Sequence, residues 1–159
     1  MRHLLGAVSC LVLTSSPPAQ ASRTSGTPDA FVREVYRDYG KDDRPDLLGP
    51  TAPGFFAPGL LALIRADERV PSGGVGRLDE DPLCDCQDDG GFRRVSVILD
   101  HPPGGRVEAT IHAMVGTDAV VVGLDLVETG RGWRIADVHG RNIPSLVAFL
   151  RGRGPPPRD

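Results

Sequence analysis

Leu78-Asp79-Glu80-Asp81-Pro82-Leu83-Cys84-Asp85-Cys86-Gln87-Asp88-Asp89 divides this chain into two kinds of sequence. Before it, apolar residues recur at helical spacing; after it, they alternate. Asp79, Glu80, Asp81, Asp85, Asp88 and Asp89 crowd a Cys84-x-Cys86 pair, a density of charge that burial tolerates only when every group is paired. The stretch is therefore expected to be a water-facing connector between a helical half and a stranded half.

Downstream, from Phe92, the period is two. Val95, Val97 and Leu99 alternate with Arg94, Ser96 and Ile98. After the turn Pro102-Pro103-Gly104-Gly105, Val107, Ala109, Ile111, Ala113 and Val115 alternate with Glu108, Thr110, His112 and Met114, the pattern of a half-buried strand. Gly116-Thr117-Asp118 connects to a third run through Val120, Val122, Leu124 and Leu126. Thr129-Gly130-Arg131-Gly132 connects to a fourth, Trp133 to Val138. Four antiparallel strands in a meander follow.

Upstream, Thr27-Pro28-Asp29 is a helix start: a capping hydroxyl, proline in the first turn and an acid at the positive end. Phe31, Val35 and Tyr39, with Val32 and Tyr36 beside them, give that helix one apolar and aromatic face, and Gly40 stops it. Residues 41–54, with Pro45, Pro50 and Pro53, read as a loop. Phe55-Phe56-Ala57-Pro58 leads into a second helix with Leu60, Leu61, Leu63 and Ile64 buried, ended at Val70-Pro71. At the other end, Asn142 or Ser145 can cap a short helix carrying Leu146, Val147 and Leu150, closed by Gly152. No internal repeat is present. The expected fold class is α+β, with N-terminal helices packed on a curved four-stranded meander and a short C-terminal helix.

The beginning of the chain reads as an export signal. Met1-Arg2-His3, the apolar run Leu4 to Leu13 and Ala19-Gln20-Ala21 predict a signal peptide over 1–21, cleaved after Ala21. The apolar run is far shorter than the roughly 20 residues of a spanning helix, so no transmembrane segment is expected. Ala7-Val8-Ser9-Cys10 is a competing lipoprotein-like box, set below simple secretion because the usual leucine is Ala7. A leader over 22–27, a domain over 28–152 and a proline-rich tail over 153–159 complete the layout. Loss of Arg2 with the signal takes the net charge from −3 to −4, which offers nothing basic enough for nucleic acid. Of the three cysteines, Cys10 leaves with the signal, and Cys84 and Cys86 are expected to pair in an oxidising compartment.

The element order and the G-W-R-I strand, Gly132 to Ile135, are similar to the nuclear transport factor 2-like (cystatin-like) roll. A closer resemblance runs from Phe31 to Leu150. F-V-R-E-V-Y-R-D-Y-G at Phe31 to Gly40, F-F-A-P-G-L-L at Phe55 to Leu61, D-P-L-C-D-C-Q-D at Asp81 to Asp88, and W-R-I-A-D-V at Trp133 to Val138 followed by Ser145-Leu146 resemble the bacterial secreted and lipoprotein family called domain of unknown function 3828. The D-P-L-x-x-x-Q-D piece carries most of the specificity. The resemblance implies the roll and export, and because that family has no assigned activity, it implies no chemistry.

Three constellations have the residue types for chemistry, and each has a plainer reading. Asp79, Asp81, Asp85 and Asp88 could offer oxygens to a hard cation, yet the spacing fails the helix-loop-helix calcium pattern, and acids before Pro82 and Gly90 serve turns. Cys84 and Cys86 could exchange disulfides, but neighbouring carboxylates would raise a thiol pKa and suppress the nucleophile. Asp137 and His139, two apart on the last strand, would share a face with Trp133 and Ile135 if no bulge intervenes. They would then form an acid–base pair in a cone, as in isomerases and dehydratases similar to this roll. The plainer reading caps a turn with Asp137, leaves His139 at the strand end and puts Trp133 in the core. His112 is expected to point outward. Tyr36 and Tyr39 are core residues first and pocket lining second.

The leading expectation is an exported, non-enzymatic domain with no cofactor. It would bind a small molecule in the concave sheet, through Tyr36, Tyr39, Trp133 and Asp137, or an envelope protein at the acidic loop. The alternatives are a small lyase or isomerase using Asp137 and His139, and a periplasmic inhibitor or immunity-type partner. A homodimer is compatible with this shape by resemblance.

Overall fold

The computed structural model describes residues 26–37, 39, 46–69, 76–87 and 92–152. The expected signal peptide with Cys10, most of the leader, the helix stop at Gly40, Asp88, Asp89 and the tail 153–159 lie outside them. Among the described residues four helices, α1 (Pro28–Tyr36), α2 (Ala52–Phe55), α3 (Pro58–Glu68) and α4 (Leu146–Leu150), accompany four strands, β1 (Arg93–Asp100), β2 (Val107–Val115), β3 (Asp118–Thr129) and β4 (Gly132–His139). The strands form one antiparallel sheet in the order β1-β2-β3-β4. This is the α+β meander expected from the alternation.

The alternation also fixes the faces. Val107, Ala109, Ile111 and Ala113 of β2 and Val120, Val122, Leu124 and Leu126 of β3 are all buried. They meet Val32 and Val35 of α1, Leu60, Leu61 and Ile64 of α3, and Leu146 and Phe149 of α4 in one core. Burying each of the valine, leucine, isoleucine and phenylalanine side chains among them contributes about 1.5–3 kcal/mol before entropy is counted. On the opposite face Ile98 and Val121 are 58% and 49% exposed, and His112 is exposed as expected.

Local chemistry sets the element ends. Thr27 caps α1, its hydroxyl accepting from the Ala30 amide at 3.2 Å. Ser145 does the same for α4, accepting from the Ala148 amide at 3.1 Å. Gly116 begins the β2–β3 turn at φ 58°, in the left-handed region that side chains avoid.

Several expectations change. The first helix ends at Tyr36, yet Tyr39 is still buried, drawn inward by the connector rather than by helical phase. The expected loop 41–54 ends in α2, started by Ala52-Pro53. α3 ends at Glu68, and Val70-Pro71 lies outside the described residues. In α4 the inward pair is Leu146 and Phe149, three apart, rather than Leu146, Val147 and Leu150. Most consequentially, the middle of the connector is not left in water: Leu83 and Cys84 are fully buried. Asp81 and Cys86 exchange backbone hydrogen bonds of 2.9 and 3.4 Å, Asp85 turns the chain at φ 51°, and Cys84 and Cys86 pair with Cα atoms 5.2 Å apart.

Candidate functional site

The connector is held by aromatic hydroxyls. Tyr36 donates to the Leu83 carbonyl at 2.8 Å, and Tyr39 donates to the two Asp81 oxygens at 3.2 and 3.0 Å. Both rings pack with Phe92, at centroid distances of 5.6 and 5.0 Å. Burial, then the nearby Asp81 charge, pushes the Tyr36 hydroxyl well above its ordinary range. These tyrosines are buried in the core, and the clefts beside Trp133 and Arg65 are lined by other residues.

The connector acids are dispersed rather than gathered around a cation. Asp79 is exposed. Asp81 accepts from Tyr39 and from the Leu83 amide at 2.9 Å. Asp85 turns the other way and accepts from the Arg141 amide at 3.1 Å. Burial and the charges of Asp85 and Asp79 raise the Glu80 carboxyl pKa, partly opposed by the Asn142 amide that donates to it at 3.3 Å. Asp88 lies outside the described residues, so the four-acid cage is not observed.

At β4 a bulge decides the geometry. Asp125 pairs with Asp137 but Leu126 pairs with Ile135, so one extra residue sits between Ile135 and Asp137. Trp133 and Ile135 remain on the helix-covered side, whereas Asp137 and His139 turn to the open face. The expected cone containing all four residues does not form, because its condition of an unbroken strand is not met. The covered face is also filled by the side chains of α1, α3 and α4.

On the open side Asp137 holds α4 in place. Its Oδ1 accepts from the Val138 and Val147 amides at 2.8 and 2.9 Å, and its Oδ2 from the Ser145 hydroxyl at 2.6 Å. His139 Nδ1 lies 2.7 Å from the Pro144 carbonyl and therefore donates, while Nε2 faces Asp125 Oδ1 at 3.1 Å. Gly123 makes this reach possible, since a Cβ there would sit 3.3 Å from that of His139. Burial alone lowers the His139 pKa, but the Pro144 hydrogen bond and the Asp125 charge outweigh it, leaving it above the usual 6.5. One ligand atom from each of Asp125, Asp137 and His139 lies within 4.8 Å of the others. Both Asp137 oxygens and both His139 nitrogens already have protein partners, so these two side chains serve the structure of the β4–α4 corner. Asp125 escapes a reading of the sequence because its role depends on register; the outward Gly123 beside it is the available signal.

Trp133, among the expected ligand contacts, lines an opening. Where the β3–β4 turn meets α1 and α2, a cleft of about 540 Å³ is walled by Phe31, Phe55 and Trp133, with Arg131, Arg134 and Glu34 at its polar side. Glu34 is engaged with Arg37 at 3.9 Å. Arg134 is aimed by its own hydrogen bonds, Nε to the Pro53 carbonyl at 2.9 Å and Nη1 to the Trp133 carbonyl. Burial, then repulsion from Arg131, lowers its pKa. Thr129-Gly130-Arg131-Gly132 reads in the sequence only as a turn; its arginine gains meaning once α2 is placed against it.

Among the described residues no helix is long and apolar enough to cross a membrane. No family model matches the chain, and no solved structure does. The chain is similar to the uncharacterized protein YqhG of Escherichia coli strain K12, 27% identical over 150 residues. The match covers 89% of this chain and 47% of YqhG, so the chain spans about half the length of that relative.

Proposed function

We propose that this chain is an exported binding domain that takes a small molecule into the cleft beside Trp133. The observation that carries the reading is the combination of aromatic walls with the oriented Arg134 guanidinium and Arg131 in one opening of about 540 Å³, the mixture of apolar surface and few polar groups that ligand sites use. The acid–base alternative finds less support: Asp137 is committed to three donors, and both His139 nitrogens have partners. The order of helices and strands supports reading the fold as a nuclear transport factor 2-like roll, and Met1 to Ala21 supports export.

Trp133 is the single tryptophan of the chain, so its fluorescence reports the cleft directly. Titration of the purified chain with indole and with naphthol, as flat apolar probes, is expected to shift Trp133 emission saturably and to protect it from acrylamide. Phe31→Ala is expected to weaken the response about tenfold or more, the loss of about 1.4 kcal/mol of apolar contact. Emission and quenching unchanged by every probe would defeat the proposal.

A further inference from the structure

A second groove lies across Arg134 from the Trp133 cleft, between α3 and the β3–β4 turn, with a volume of about 560 Å³. Its floor is apolar, from Phe56, Pro58 and Leu61, and its polar side holds Arg65, Arg131 and Arg134 without an acidic residue. That is unusual in a chain with more acids than bases, 21 against 18. Elsewhere Arg33 meets Asp29 at 2.7 Å, Arg37 meets Glu34 at 3.9 Å, and Arg77 meets the Phe149 carbonyl at 2.6 Å and lies over its ring. The three in the groove have no carboxylate partner among the described residues. Two carbonyls orient the Arg134 guanidinium through Nε and Nη1. Its Nη2 is left without an acceptor among the described residues. Convergent cations over an apolar floor favour a ligand that neutralises them with anionic oxygens, which guanidinium groups bind by paired, charge-assisted hydrogen bonds.

We infer that this groove binds an amphiphilic anion, its carboxylate or phosphate head at Arg65, Arg131 and Arg134 and its apolar tail on Phe56, Pro58 and Leu61. The inference goes beyond the Trp133 reading, since it concerns a separate groove. Arg65 lines the second groove and not the first, so the two can fail separately. Calorimetric titration of the intact chain with decanoate, decyl phosphate and decanol at low and high salt tests it. Both anions, or the one whose head the groove prefers, are expected to bind at least tenfold more tightly than decanol, with the advantage shrinking as salt rises. Arg65→Gln and Arg131→Gln, melting like the parent, are each expected to weaken anion binding about tenfold, as for one lost charge-assisted hydrogen bond, and to leave decanol unchanged. Decanol binding as tightly as both anions overturns the anionic class while leaving the Trp133 cleft standing. Anion affinity unchanged in both variants overturns the placement. Decanoate and decyl phosphate both failing to bind overturns the inference outright, whatever indole does at Trp133.

Discussion

The acidic connector and the β4–α4 corner solve the same problem in opposite surroundings. Each uses one aspartate as a hub: Asp81 accepts from Tyr39 and the Leu83 amide, and Asp137 from Ser145, Val138 and Val147. Asp81 fixes a segment whose neighbour Leu83 is fully inside the core, whereas Asp137 works from the open face of the sheet. A count of acids therefore says little about where a segment lies. The donors each carboxylate finds decide whether its neighbours can enter the interior.

The sharpest way to break the connector is at its apolar plug. Leu83→Ala is expected to cost about 3 kcal/mol, within the range for a fully buried leucine, seen as a lower urea midpoint with an unchanged slope. A loss under half that would mean that the connector is peripheral. Asp137→Ala should cost about 2 kcal/mol, because the Val147 amide and the Ser145 hydroxyl lose their acceptor; amide exchange should accelerate in α4 before β2. Uniform acceleration would show that the corner does not hold α4 independently.

Tyr36→Phe sharpens the contrast further. It leaves the ring stack on Phe92 and removes only the hydroxyl donating to Leu83, for an expected loss of about 1.5 kcal/mol, and a melt indistinguishable from the parent's would show that the hydroxyl adds nothing to the plug. The smallest effect belongs to His139. Its folded pKa is raised, so its contribution is complete below the ordinary value of about 6.5 and disappears as pH climbs through the folded value. The group is partly exposed, with 38% of its side chain accessible, which limits the contribution to under about 1 kcal/mol. Stability from about pH 5.5 to about pH 8.5 should therefore fall slightly more in the parent than in His139→Gln. An equal slope in both would remove His139 from the balance.

The sheet is legible in the sequence because alternation is a local signal. Val107 through Val115 declare their faces without knowledge of any partner, and Thr27 declares its cap, while the structure chooses Ser145 over Asn142 for the last helix. The candidate site is not legible to the same degree, for a physical reason. Asp137 and His139 look like neighbours of Trp133 at a period of two, and one bulged residue sends them to the other face. The groove arginines come from separate elements, Arg65 from α3, Arg131 from the β3–β4 turn and Arg134 from β4. The whole acidic connector and three strands of the meander lie between the first and the others in the chain, so only tertiary packing unites them.

β1 and β4 leave the sheet with two rims, and they are finished differently. Along β4 the Ala57 amide donates to the Ile135 carbonyl at 2.8 Å, so the chain partly seals that rim with itself. Along β1 the left-handed Arg94, at φ 56°, and the register break beside it interrupt what would otherwise be a flat template. Exchanging Arg93 and Arg94 for valine would create the run V-V-V-S-V-I-L, an uncharged ribbon inviting strand addition and fibrous self-association. Two arginines thus guard the solubility of a chain whose sheet otherwise has every incentive to grow.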